Sequence, residues 1–391
     1  MTTLHVAKKP AGAPVIGDPI VGTTPKDFNL TGGFLNNALE SLPNMSTLHL
    51  DPTIPWKFGP DGNNKITMPS GKIMKIDGGG ATVVIDTQSV ITGGILELEN
   101  LRLDCIGDPK FSRAPGSDSL GYISIEKGAL VCRYVSIEKL DETEFTNVRY
   151  LVQVNGTTVG PHPDRVTGLG GLVDDLCAFV ADGQVTIRCD QAGPLNLTGG
   201  NLKVTGTLEL DTGIEDGPTF EFCGPSMIDA KQGSIAVNGM IWITGAFDPD
   251  SPASEIGNLS VNTLSLTTPA IVVNMGDTET EAEAQTRNMV LNIDHLTLAR
   301  TPGSTNTQAA IKAVAADGAK TFAAFTDAIN VGNIKDRDGN YAEDPNNVLF
   351  IGEHVQVGYP SNATENADLY AALTPAPTVG MSDETVRNKV V

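Results

Sequence analysis

The carboxylates come first, because they are the residues here with the widest range of chemistry. Asp174 and Asp175 form the best adjacent acid pair in the chain. A pair of carboxyl groups flanking a glycosidic bond can act as general acid and general base. They follow Gly170-Gly171 in a loop-like stretch, so a turn is the simpler reading. The run Asp336-Arg337-Asp338-Gly339-Asn340 places acids at alternate positions, as oxygen ligands in a calcium loop do. Aligning Gly339 with the loop's invariant glycine puts Ile334 at the first ligand position and Pro345 at the last. Neither ligates a cation, so Asp336 and Asp338 read as a turn. The histidines at 5, 49, 162, 295 and 354 are scattered singly, with no pair at ligand spacing. Neither a Ser-His-Asp or Cys-His arrangement nor a Walker-type loop stands out. Trp242 lies in the alternating run Met240-Ile241-Trp242-Ile243-Thr244. Pointing outward, it would be an interface residue or a platform on which a sugar ring stacks.

The whole-chain arithmetic narrows the partners. The 391 residues carry 26 basic and 47 acidic side chains, a net charge of −21. That balance disfavours nucleic acid, whose binders need a basic face to displace counterions. It disfavours an anionic membrane surface for the same reason. No apolar run is long enough to span a bilayer, and the N-terminal residues lack a signal-peptide core. The odd count of five cysteines and the lack of any Cys-x-x-Cys argue for buried free thiols, as in a protein made in a reducing cytoplasm. No cofactor and no metal site is expected.

The elements that would position these residues are mostly short strands. Phe34, Leu35, Ala38, Leu39 and Leu42 share one face of a short helix that ends before Pro43. From about residue 81 to 300, alternating apolar segments are broken every few residues by Gly, Asn or Asp. ILELENLRLDC (95–105), YISIEKGALVCRYVSIEK (122–139) and LNLTGGNLKVTGTLELD (195–211) show this best. Such short strands suit a coil in which each turn stacks on the last at about 4.8 Å. At about 20–25 residues per turn, some nine or ten coils are expected, with loops leaving them at 108–121 and 158–175. After Arg300 the pattern fades. The Ala-rich stretch 308–332 reads as two short helices broken at Asp317-Gly318, and 347–359 as one or two strands.

The order of helix, ALESLP, short strand and ITMPSGKIMKIDGGGATVVID resembles the opening of the pectate-lyase-like right-handed parallel β-helix superfamily, as found in tailed-phage surface proteins and tailspikes. The resemblance implies an all-β, single-stranded right-handed parallel β-helix over 27–300, with a capping helix near 33–42. An extended arm (1–26), a small mixed α/β module (301–375) and a C-terminal tail (376–391) complete the expected organisation. Ile293-Asp294-His295 resembles part of the lyase branch's Trp-Ile-Asp-His motif, and Arg300-Thr301-Pro302 the start of its Arg-x-Pro-x-x-Arg motif. Thr305 stands where that motif closes with Arg, and the two pieces lie closer than adjacent coils allow. Asp294 therefore also reads as structural, and the hydrolase branch's His-Gly pair is missing. The expectation is a structural virion surface protein of a tailed phage, a capsid decoration or a spike, leaning away from catalysis. The resemblance implies a homotrimer. Capsid or tail proteins and a host surface glycan are the expected partners. The rivals are a tailspike-type polysaccharide depolymerase and a non-catalytic glycan-binding adhesin.

Overall fold

The computed structural model describes residues 26–30, 32–110, 121–146, 148–156, 177–214, 218–244, 257–266, 271–274, 289–298, 311–314, 329–336 and 349–351. In chain order the strands are β1 (Lys26–Leu30), β2 (Ser46–Leu50), β3 (Trp56–Lys57), β4 (Ile73–Thr87), β5 (Ser89–Lys110), β6 (Gly121–Lys139), β7 (Tyr150–Val154), β8 (Cys177–Cys189) and β9 (Gly193–Val204). They continue as β10 (Thr207–Thr212), β11 (Pro218–Asn238), β12 (Met240–Thr244), β13 (Gly257–Leu266), β14 (Ile271–Asn274), β15 (Met289–Leu298), β16 (Ile311–Val314), β17 (Ile329–Asp336) and β18 (Leu349–Ile351). A single helix among the described residues, α1 (Leu35–Ser41), joins β1 to β2. Strands make up most of the described residues, so the class is all-β.

Every strand pairing among the described residues is parallel. The longest strands bend and pair piecewise. The 19 residues of β6 pair first with β7 over 121–125, then with β8 over 128–133, then with β8 again over 135–139. Both β7 and β8 pair in turn with β9, so the sheet closes on itself. A closed six-strand parallel barrel lies within it, an arrangement consistent with a β-helix-like fold.

Three stacks of strand segments result, each with an inward column of apolar side chains. In the first stack Ile91, Ile125, Val154, Leu197 and Phe222 are in register. The second aligns Leu48, Ile76, Leu98, Cys132, Ala181 and Val204. The third aligns Val83, Leu103, Ile137, Ile187, Leu210 and Val237. All of these side chains are buried. Burying an Ile, Leu or Phe contributes about 1.5–3 kcal/mol, so the columns are the main favourable term.

The three outward surfaces differ. On the third stack burial alternates strictly, with buried Leu103, Ile137 and Ile187 separated by solvated Asp104, Glu138 and Arg188. This is the signature of a sheet covered on one face. On the second stack two outward rows, Ile73-Ile95-Ala129-Ala178 and Val131-Val180, are also buried and form a separate apolar cluster. The first stack's outward row of Ser124, Gln153 and Asn196 is buried too, and Gln153 Nε2 donates to Asn196 Oδ1 at 3.2 Å. Parallel strands covered on both faces read as continuous apolar runs.

Helix α1 buries Leu35, Ala38 and Leu39 and stops where Leu42 turns extended (ψ 150) before Pro43. Lys72 Nζ donates to the carbonyls of Leu39, Glu40 and Leu42, which satisfies the open C-terminal end of the helix. Asn36 ties the other end down. Its backbone N–H donates to Phe58, and its side chain donates to Lys65 O and accepts from Thr67 N.

One expectation needs adjusting. Within 308–332 the described residues are strands, β16 and the start of β17, not helices. They continue the parallel register of β14 and β15, so tertiary pairing overrides the helix preference of an Ala-rich segment. The expected loops at 108–121 and 158–175 fall mainly on residues outside those described. The arm 1–25, the span 376–391 and Asp174, Asp175 and Asp338 lie wholly outside them.

Candidate functional site

Where the chain passes from the second stack to the third, the inward phase must shift by one residue. Leu96 and Leu98 face inward at even positions, then Leu101 and Leu103 at odd ones; Leu130 and Cys132 give way likewise to Val135 and Ile137. A strand cannot change face without an interruption. Asn100 and Tyr134 supply it, with left-handed backbones at φ 51° and 54°. Gly79 and Gly80 do the same one coil earlier (φ 55° and 97°), and Gly183 one coil later (φ 73°). Asn tolerates this region, but a tyrosine there costs roughly 1–2 kcal/mol relative to an ordinary backbone.

Tyr134 is also the most exposed large apolar side chain among the described residues, at 57%. Its ring lies against Gly183, where an added Cβ would sit 3.0 Å from Cε1 and Cζ. The coils on either side are tied together. Arg133 Nε donates to Asp182 Oδ2 at 2.8 Å, and Thr205 Oγ1 donates to Asp182 Oδ1 at 2.8 Å. Burial raises the Asp182 pKa, but the bonds from Thr205, Arg133 and the Gly183 N–H outweigh it, so the carboxyl stays below its usual range.

Beside the ring runs an open groove of about 690 Å³, lined by Asn100, Arg102, Tyr134, Ser136, Gln184 and Thr186 among others. Its chemistry is an aromatic face among hydroxyls, amides and one guanidinium. Arg102 is held by Glu138 at 3.1 Å and Asp104 at 3.4 Å. Thr186 Oγ1 donates to Glu209 at 3.4 Å, and Asn100 Nδ2 to Asp77 at 3.3 Å. Comparison with known family models, curated proteins and solved structures finds no match. The groove is therefore read on its own chemistry.

The residues singled out in the sequence do not converge on this groove. Asp294 falls between Ile293, registered with Val261, and His295, registered with Thr263. It thus occupies the same corner row as Asn100 and Tyr134, further along the stack. Asp336 ends β17, in register with Leu298. Trp242 is half-buried on the side opposite buried Ile241, so it faces outward as required of an interface or stacking residue. Its indole N–H is shielded and has no hydrogen-bond partner among the described residues. No group of three or more His, Cys, Asp or Glu side chains among the described residues is arranged to hold a metal. No described helix is long and apolar enough to cross a membrane.

A polar knot closes the opposite corner, between the third stack and the first. Lys139 is fully buried and donates to the Asp141 carboxylate, to Asp141 O and to Thr143 O, with the Phe145 ring 5.0 Å from Nζ. Burial pushes the Asp141 carboxyl up, but the bonds from Lys139 and from the Gly107 and Thr143 N–H groups prevail and lower its pKa. Tyr122 fills the same corner and donates to Ile85 O and Ile106 O. Cys105, Cys132, Cys177 and Cys189 are buried free thiols. Burial pushes Cys177 up to about 12 and Cys189 up to about 11, the reverse of what a nucleophile needs.

Proposed function

We propose that this chain is a single-stranded right-handed parallel β-helix, closed at its N-terminal end by α1, that serves as a non-catalytic structural protein on the surface of a tailed-phage virion. In this reading it decorates the capsid or forms a spike, docks through residues 1–26 and 376–391 and assembles as a homotrimer. It needs no cofactor, and its partners are capsid or tail proteins.

One observation carries the structural reading: three apolar columns run in register through successive coils, and the outward charges of the open face are matched across coils. Arg102 reaches Glu138 one coil on, and Arg188 reaches Asp211 one coil on at 3.3 Å. Each exposed pair is worth under about 1 kcal/mol, but a ladder of them fixes register and leaves a solvated, weakly adhesive surface.

Imaging and mass spectrometry of purified particles test the location; absence of this chain from every virion fraction overturns it. Deleting residues 1–25 should leave a folded protein that no longer incorporates. Sedimentation of the purified chain at three times the monomer mass is the expected oligomeric result. The second reading, a glycan-binding adhesin, is favoured by the exposed ring of Tyr134 beside its groove. The depolymerase reading predicts oligosaccharide release from capsular polysaccharide, with Asp174 and Asp175 as the acids to replace first.

A further inference from the structure

We propose that the groove beside Tyr134 is a binding site for a neutral oligosaccharide, with the Tyr134 ring as the stacking platform. The inference concerns this corner alone and does not rest on where the protein resides.

Three independent features converge. The first is strain without a structural return. The corner asks for a left-handed residue, which glycine supplies at 79, 80 and 183 and asparagine at 100, yet position 134 holds tyrosine. The second is presentation. The ring is largely exposed and lies over Gly183, where an added Cβ would come within 3.0 Å of Cε1 and Cζ, so one face rests on backbone and the rest is presented to solvent. A pre-set aromatic face binds the apolar face of a sugar ring at little entropic cost. The third is the rim. Asn100, Ser136, Gln184 and Thr186 bring amide and hydroxyl groups to one groove, the donor and acceptor mix that sugar hydroxyls use.

The charges decide which sugars. The guanidinium in the groove, Arg102, already faces Asp104 and Glu138. Arg133 is joined to Asp182, and Asp77 and Glu209 lie against Asn100 and Thr186. A uronate or sialic acid entering here would meet these carboxylates, while Arg102 and Arg133, the described cations beside the groove, are already paired. A neutral hexose or N-acetylhexosamine chain meets no such penalty.

The test uses the full chain on an array of immobilised neutral, uronate-containing and sialylated oligosaccharides, with titration calorimetry on the hits. Binding to neutral members is expected. Tyr134→Gly should weaken that binding at least tenfold while leaving the melting temperature unchanged or raised, because it removes left-handed strain. Tyr134→Trp should keep binding within about threefold, since the platform is retained. Three results overturn the proposal: no neutral glycan bound, binding confined to acidic glycans, or neutral binding that survives Tyr134→Gly. A fall in the melting temperature of Tyr134→Gly, with binding unchanged, would make the ring a packing element instead. Virion incorporation is scored separately, so either reading can fail without the other.

Discussion

The corner between the first and second stacks and the corner between the second and third make the same left-handed turn with opposite contents. At the first, Gly94, Gly128, Gly199 and Gly200 all have positive φ. An added Cβ on Gly128 would sit 2.1 Å from the Gly94 carbonyl oxygen. Backbones of successive coils touch there, and nothing larger than hydrogen fits. At the second corner Gly79 and Gly80 have open space where a Cβ would go. The turn still requires positive φ, but in these early coils side chains are sterically admitted, and Asn100 and Tyr134 appear; further along the same corner it closes again, with an added Cβ on Gly206 sitting 1.8 Å from the Gly183 carbonyl oxygen. The lesson is that dihedral demand and spatial demand are separable. Where both act, glycine is forced; where only the first acts, other pressures choose the residue.

Four substitutions test that separation. Gly128→Ala combines strain with a collision against backbone and should cost about 3 kcal/mol or more, read as a lower urea midpoint. An unchanged midpoint would mean the first corner is not closed. Gly80→Ala faces the dihedral cost alone and should lose about 1–2 kcal/mol. A loss as large as that of Gly128→Ala would erase the distinction.

Asp182→Asn removes the tie that holds the coils beside Tyr134. Its ion pair with Arg133 is partly exposed, so the loss at neutral pH should stay below about 1 kcal/mol. The folded pKa of Asp182 is depressed, so its contribution is present above the unfolded value of 3.8 and fades as pH falls through the folded value. Hydrogen exchange in wild type should therefore quicken around residues 133–134 and 182–183 in acid. The variant should lack this acid-dependent step, and a wild-type profile in the variant would assign the step to another carboxyl. Last, Asn100→Gly trades a hydrogen bond to Asp77 for relief of mild strain and should shift stability by no more than about 0.5 kcal/mol. A drop of several times that size would show a packing role for Asn100.

The sequence made the stacking legible where one face is solvated. Leu208 and Leu210 inward with Glu209 and Asp211 outward is plain alternation, and the strand it implies is found as β10. The second stack was harder, because ALVC and CAFVA are buried on both sides and have no period. Tyr134 was missed for a physical reason. Cys-Arg-Tyr-Val reads as uninterrupted strand, since no Gly, Asn or Pro punctuates it. The signal was present in the phase flip from Cys132 to Val135, which demands a corner between them. The Ala-rich segment near 311 misled in the opposite direction, because its composition favours helix and only the register with Ile271–Asn274 makes it a strand. The alternation around Trp242 left its direction open, and only the burial of Ile241 beside it gives the outward side.

The all-parallel register also sets how the molecule carries load. Hydrogen bonds between stacked strands lie along the stacking direction, perpendicular to the chain within each coil. Traction applied at the two ends of the stack opens these bonds a coil at a time, beginning at a terminus. The registered pair Ile187 and Leu210 lies 23 residues apart. Each such rupture pays out roughly 80 Å of extended chain. A stack paired this way yields in steps of one strand pairing and keeps the pairings beyond it intact.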